Sequence, residues 1–241
     1  MTCPNSIVIV PGRRSSTRLK DKLLLDKTGK PLLLHTLEQC ALAKKSDLVI
    51  AAVDDSDLKR IVEEGGFQAI LTSKEHKSGT DRVWEAAQHF PDAKFIVNVQ
   101  GDEPEIEPSF IDLVFLELHK GEPTVTLSSP LAATTTPEPS SVKVVTSLNN
   151  YALYFSRSQI PSKNEAKLHI GVYGFQRNTL EKFSELPPSP LELCERLEQL
   201  RLLENSIPIK VINCPYTSPG IDTQKDYDMF CERFKAAHPI K

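Results

Sequence analysis

Four apolar runs set the strongest limit on what this chain can fold into: Ile7 to Val10, Leu48 to Val53, Phe67 to Leu71 and Phe95 to Val99. Each is too short for a helix, and each is bounded by turn residues. They are continuously apolar instead of alternating, which marks strands covered on both faces, as in a parallel sheet. Helix patterns fill the gaps. Pro31 to Lys45 has a proline near its start and lysines at its end, and Ser56 to Glu64 is a polar, capped segment ended by Gly65-Gly66. Thr80 to Phe90 and Pro108 to Lys120 continue the alternation, so the reading is α/β with a doubly wound parallel sheet.

Beyond Gly121 the texture turns to β, over Thr124 to Ser129, Val142 to Ser147, Tyr151 to Ser156 and Leu168 to Phe175, with a proline- and threonine-rich loop at Ala132 to Pro139. These segments read as sheet extensions or a small antiparallel lobe. Pro187 to Pro190 stops the chain before a strong predicted helix, Leu191 to Glu204, whose Leu193, Leu197, Leu200 and Leu203 fall on one face. A strand over Ile207 to Asn213 and a helix over Thr223 to Lys235 close the pattern. No Gly/Ser linker or charge block divides the 241 residues, so one domain over 1–241 is expected.

The formal net charge of −3 makes any basic cluster a local feature, which argues against a nucleic-acid partner. Five scattered cysteines without a C-x-x-C pair suggest neither a disulfide framework nor a zinc site. They read as reduced thiols of a cytoplasmic protein. Neither a signal peptide nor a membrane span is expected from the hydropathy.

The cations do cluster after the first strand. Val10 to Lys22 packs Arg13, Arg14, Arg18, Lys20 and Lys22 among Ser15, Ser16 and Thr17. Cations, hydroxyls and a glycine at a strand exit are the parts of a polyphosphate cradle, but a solvated basic loop has the same composition. The loop matches neither G-x-G-x-x-G nor G-x-x-x-x-G-K-[ST], which weakens dehydrogenase and P-loop readings. Asp102 follows the buried run Phe95 to Val99 and is a natural Mg²⁺ anchor facing the cationic loop, with Glu103 as the alternative ligand. Asp222 precedes the last helix and reads either as a second metal ligand or as that helix's N-cap. Ser78, Gly79 and Thr80 either cap a helix or read the edge of a base. His169 is either a structural strand histidine or, beside Gly171 and Gly174, a ligand contact. Arg157 is a carboxylate anchor or a surface arginine. Glu198 and Gln199 read as solvent-facing.

Taken in order, these stretches resemble the 3-deoxy-manno-octulosonate (Kdo) cytidylyltransferase family, the CMP-Kdo synthetases that activate Kdo for lipopolysaccharide. The likeness rests on Pro11-x-Arg13 with Ser16-Thr17-Arg18-Leu19 and Lys22, on Ser78-Gly79-Thr80-x-Arg82, and on Asn98 to Pro104. It continues through Val142-Lys143-Val144-Val145, Tyr151 to Arg157, His169-x-Gly171-x-Tyr173-Gly174, Leu197 to Arg201 and Gly220 to Thr223. The resemblance implies a Rossmann-like nucleotide-diphospho-sugar transferase fold with a mostly parallel sheet and a small antiparallel extension. It implies that Arg13, Ser16, Thr17, Arg18 and Lys22 bind the triphosphate of CTP, and that Ser78, Gly79, Thr80 and Arg82 surround the cytidine. Asp102 and Asp222 would hold Mg²⁺ and, with Arg13 and Lys22, form the catalytic set. Gln100, Arg157, His169, Tyr173, Glu198 and Gln199 would line the pocket for a Kdo-type acid, either Kdo or an amino analogue. A homodimer is also implied.

The chain departs from the family pattern in two places in its first loop, and its segment between Pro161 and Leu168 reads as shorter than in typical members. Gly12 stands where the family has alanine, a change expected to ease backbone approach to phosphate. Lys20-Asp21 replaces Pro-Gly, which puts an anion beside the proposed cradle. Competing readings are a CMP-sialic acid synthetase or another sugar nucleotidyltransferase and, from a different class, a nucleotide-binding regulator without catalysis.

Overall fold

The computed structural model describes residues 3–16, 18–76, 78–131, 141–162, 166–216 and 220–238. Thr17 and the loop predicted at Ala132 to Pro139 lie outside the described residues.

Strand β1 (Ser6–Gly12) is the centre from which the sheet grows in both directions. On one side it pairs in parallel with β2 (Leu48–Val53), which pairs with β3 (Gln68–Leu71). On the other it pairs in parallel with β4 (Phe95–Val99). Crossover helices α1 (Leu32–Ala41), α2 (Ser56–Glu64) and α3 (Gly79–Ala87) connect these strands, and α4 (Pro108–His119) follows β4. The four apolar runs thus form a parallel half-sheet, as their unbroken hydrophobicity requires.

The second half continues with β5 (Thr124–Pro130), β6 (Lys143–Thr146), β7 (Ala152–Ser156), β8 (Lys167–Gln176) and β9 (Lys210–Asn213). The sheet order is β3-β2-β1-β4-β8-β5-β9, with β6 and β7 branching from the start of β8. β8 runs antiparallel between β4 and β5, and β5 and β9 are parallel. The β7-β6-β8 pairings form a small antiparallel extension. The sheet is therefore mostly parallel, as expected.

Alternation along β1 divides the core. Val8 and Val10 face α1, α2 and α4, whereas Ile7 and Ile9 face α3 and α5 (Arg177–Glu185). All four side chains are fully buried, and each contributes about 1.5–3 kcal/mol of transfer free energy. A third cluster joins Leu32 of α1 to Tyr227, Phe230 and Cys231 of α8 (Gln224–Ala237).

Helical structure differs from expectation in three places. The first predicted helix stops at Ala41, short of the lysines. Helix α5 lacks a side-chain cap, and tertiary contacts set it in place: the Arg177 guanidinium donates to the carbonyls of Ala87, Phe90 and Ala93 and lies over the Trp84 ring. The single helix predicted over Leu191 to Glu204 is two, α6 (Pro190–Glu195) and α7 (Leu200–Glu204), broken at Arg196, whose backbone is left-handed with φ 56°. Arg201 Nε and Nη2 bond Glu192 Oε2 and Oε1 at 2.8 and 2.6 Å, both residues being buried. In one continuous helix residues nine apart would sit about 13 Å apart on opposite faces. This bidentate pair therefore requires the break, and Leu193 of the expected leucine stripe is left 66% exposed.

Candidate active site

The strand order reverses direction between β1 and β4, and the crevice beyond the carboxyl ends of such strands is the usual ligand position in an open α/β sheet. A cleft of about 490 Å³ lies there, lined by Pro11, Arg13, Ser15, Ser16, Arg18, Lys22, Leu23, Gly79, Arg82, Gln100, Gly101, Asp102 and Asp222. Three elements close on it: the β1 loop, the β4 loop and the segment leading into α8. Gly101 makes this approach possible, since a Cβ there would lie 2.9 Å from the Pro11 carbonyl oxygen and 3.2 Å from Leu33 Cδ1. The Thr36 hydroxyl donates to the Gly101 carbonyl at 2.9 Å and fixes the β4 loop from below.

At the centre Lys22 Nζ bonds Asp102 Oδ2 and also reaches Asp222 Oδ1 at 3.3 Å. Arg18 Nη1 bonds the other oxygen of Asp222 at 2.9 Å. Asp222 is therefore not the N-cap of the last helix. That role belongs to Thr223, whose hydroxyl accepts from the Asp226 backbone N–H while the Asp226 carboxylate accepts in return, leaving the Asp222 carboxylate for the cleft. Residues eighty and two hundred positions from Lys22 thus converge on a single ammonium.

Glu103, the alternative ligand, lies behind this centre. Its Oε2 is buried without a partner, and its pKa is pushed up to about 8 by desolvation first and then by Asp102 and Asp222. A carboxyl held largely protonated at neutral pH is a weak metal ligand. The carboxylate pair open to the cleft is Asp102 with Asp222. Two carboxylates converging beside a cationic loop suit Mg²⁺, which binds through one or two carboxylates, water and substrate phosphates.

Arg82 is fully buried, yet it is among the residues that line the cleft. It bonds the Thr72 hydroxyl and, at 3.4 Å, Asp54 Oδ2, while Nε has no partner. Desolvation lowers its pKa, with the Arg13 charge adding to the effect and Asp54 opposing it. A buried guanidinium with a free N–H is an anion-seeking group. Asp54 carries a role that the sequence reading did not assign, although it ends the β2 run as Asp102 follows the β4 run. Its Oδ1 accepts the Arg14 backbone N–H at 2.9 Å and so ties the cationic loop to Arg82.

The two departures from the family pattern find physical accounts. Asp21 adopts φ 49°, the left-handed conformation that glycine takes without cost. Its carboxylate faces away from the cleft centre, toward Arg14 Nε at 3.4 Å, and Arg14 also bonds Asp55 and Asp57. Gly12 belongs to β1, where a Cβ would press on Leu23 Cδ1 at 3.1 Å and Val53 Cγ1 at 3.3 Å. Its smallness serves packing beneath the loop.

A second cavity of about 560 Å³ adjoins the first through Gly79 and is lined by Ser78, Gly79, Glu192, Leu193, Arg196, Leu197, Glu198 and Gln199. Ser78 is the N-cap of α3, accepting from the Asp81 N–H at 3.0 Å, so it caps and lines the cavity at once. The turn at Arg196 folds Glu198 inward, against the solvent-facing reading of its helix pattern and in line with the pocket position that the resemblance implies. Desolvation raises its pKa, opposed by hydrogen bonds from Thr80 and Ser78, and its Oε2 is buried without a partner. Gln199 is 5% exposed, so neither residue is on a solvent face. Thr80, Tyr173, Glu198 and Gln199 meet beneath this cavity.

His169 and Arg157 line neither cavity. They belong to the adjoining extension. His169 Nε2 lies 2.9 Å from the Thr126 hydroxyl, whose own hydrogen goes to the Val172 carbonyl at 2.8 Å, so Nε2 is assigned as the donor. Burial lowers the His169 pKa to about 3, which makes it a neutral hydrogen-bonding residue and not a base at neutral pH.

Comparison with known proteins agrees with this geometry. A family model described as Cytidylyltransferase matches residues 7–212. The 3-deoxy-manno-octulosonate cytidylyltransferase of Chloroherpeton thalassium is 46% identical over 92% of this chain and 94% of its own length. That of Chlorobium phaeobacteroides is 39% identical over 97% of this chain and 98% of its own. A solved structure of CMP:2-keto-3-deoxy-manno-octonic acid synthetase complexed with CTP has a TM-score of 0.91 at 35% identity, covering 96% of this chain and 99% of that one.

Proposed function

The chain belongs to the 3-deoxy-manno-octulosonate cytidylyltransferase family, and from that premise we propose that it transfers CMP from CTP to the anomeric hydroxyl of Kdo and releases pyrophosphate. One observation carries the reading: a single cleft at the sheet's switch point sets Arg13, Arg18 and Lys22 against Asp102 and Asp222. The reaction joins two anionic reactants, so alignment and charge balance are the protein's main tasks.

Arg13, Arg18 and Lys22 bind the triphosphate and offset the charge of the departing pyrophosphate. Ser78, Gly79 and Arg82 flank the nucleotide side of the cleft. Gln100, Tyr173, Glu198 and Gln199 orient the sugar acid, with Arg157 taking its carboxylate and His169 donating or accepting hydrogen bonds as a neutral ring. Asp102 and Asp222 would hold Mg²⁺, which would neutralise phosphate charge and lower the pKa of the attacking hydroxyl. Lys22 bridges the two carboxylates and holds them converged.

We further read the protein as cytoplasmic and as a homodimer. Among the described residues no helix is long and apolar enough to cross a membrane. Leu148 and Leu153 around the β6–β7 hairpin and Leu193 on α6 are exposed apolar side chains, and Glu195 of α6 accepts from Tyr154 and Ser156 of β7. Such exposed side chains on linked elements suit a subunit interface.

The test is pyrophosphate release with Mg²⁺ and a matrix of nucleoside triphosphates against Kdo, its amino analogue and sialic acid. Turnover with CTP and a Kdo-type acid is expected. A preference for UTP or sialic acid would overturn the substrate assignment, and no release at all would overturn catalysis. A regulator without catalysis would find its support in an anion at Asp21 spoiling the cradle, and Asp21 faces Arg14 instead of the phosphate cleft.

A further inference from the structure

The motif Val142-Lys143-Val144-Val145 carries a residue to which the proposed chemistry gives no role. Lys143 sits on β6, the middle strand of the extension, in register with Ser156 of β7 and Leu168 of β8. It is 3% exposed. Its ammonium donates to the backbone carbonyls of Arg157 at 2.6 Å and Ser141 at 2.8 Å. Among the described residues no carboxylate lies within ion-pair distance of it, and the charge that acts on it is that of Arg157.

A buried ammonium held only by carbonyls is an expensive arrangement. Desolvation lowers its pKa, and the like charge of Arg157 lowers it further. Packing does not explain the choice, because methionine would fill the same volume without a charge to desolvate. The location does. One of the two bonds fixes the peptide from which Arg157 projects. The adjacent residue, Val142, accepts the His169 N–H at 2.9 Å, so β6 also fixes the strand that carries His169, Gly171 and Tyr173. An anion bound beside Arg157 would also favour the charged form of Lys143.

We propose that Lys143 is a positioning residue of the acceptor site, holding the backbone at Arg157 and lending the pocket a buried positive charge that favours an anionic sugar. This rests on the function proposed above. It predicts that binding of the acid suffers when Lys143 is replaced, while binding of the nucleotide, in the cleft lined by Arg13, Lys22 and Asp102, does not.

Steady-state kinetics separate these effects. Lys143→Met, which keeps the volume and removes donor and charge, is expected to raise the KM for Kdo by about tenfold, with the KM for CTP within about twofold and kcat less affected. Lys143→Gln restores a donor to the Arg157 carbonyl and is expected to recover part of that loss. A Kdo KM unchanged in Lys143→Met, or a CTP KM raised by the same factor, would overturn the assignment. If Lys143→Met does not fold, Lys143→Gln is judged by the same two comparisons against the wild type. A wild type inactive on Kdo overturns the function and this assignment together, whereas an active wild type with an insensitive Lys143 variant overturns this assignment alone.

Discussion

At the scale of single residues, the cleft is organised by charges from distant parts of the chain that meet without cancelling. Asp102→Asn keeps the shape of a half-buried side chain and removes its charge. It should cost at least about 10²-fold in turnover while leaving the melting temperature within a few degrees, because the work assigned to Asp102 is on metal and phosphate. Full activity in this variant would remove Asp102 from the site. Asp21 tests backbone against charge. Asp21→Gly suits the left-handed turn and loses only an exposed ion pair, so stability should change by less than about 1 kcal/mol. Asp21→Val puts a branched side chain at φ 49° and should cost about 1–2 kcal/mol. Urea denaturation decides, and equal losses would show that the Arg14 pair, not the turn, sets the stability of the loop.

At the scale of elements, the tightest junction is between β8 and α4. A Cβ on Gly174 would overlap the Val114 side chain and come within 2.9 Å of Leu118 Cδ1. Gly174→Ala should therefore lower unfolding stability by about 1–3 kcal/mol, read by chemical denaturation, through overpacking. Sequence legibility divides at the same place. β2, β4 and α2 have the bounds that their residues predict, because unbroken apolar runs and a capped polar helix are local signals. That Asp102 faces the cationic loop was also legible, as an acid at a strand end set against a local concentration of positive charge. What was not legible depends on partners far along the chain. Helix α5 is anchored by carbonyls at the end of α3, and the break between α6 and α7 is enforced by the Arg201–Glu192 pair. A periodic leucine pattern favours a continuous helix, and nothing local in Arg196 opposes it. The inward turn of Glu198 follows from that break and was hidden with it.

At the scale of the whole molecule, two buried histidines link stability to acidity. His35 sits at the seam between α1 and α8, edge-on to Phe230 and Phe234, with its pKa lowered to about 4 by desolvation first and the Lys30 charge second. His169 is lowered to about 3 by burial. For a folded-state pKa depressed below 6.5, the unfolded chain binds the proton first as pH falls. The stabilisation is complete above pH 6.5 and is lost progressively as pH drops toward about 4 for His35 and about 3 for His169. His35→Gln, which keeps a partner for the Thr28 hydroxyl, should flatten the decline between pH 7 and 4.5 by about 1–3 kcal/mol. Parallel denaturation profiles for variant and wild type would show that the seam does not carry this acid sensitivity. β8 has a different kind of reach. It is hydrogen-bonded to β5 along one edge and to β4 and then β6 along the other, with Gly171 against Gln100 and Leu168 opposite Lys143. Three residues of extended backbone span about 10 Å. One inextensible strand therefore acts as a ruler between Gln100 at the cleft and Lys143 beside Arg157, so their separation is set by covalent geometry, and a change at either end is felt at the other as a change of distance.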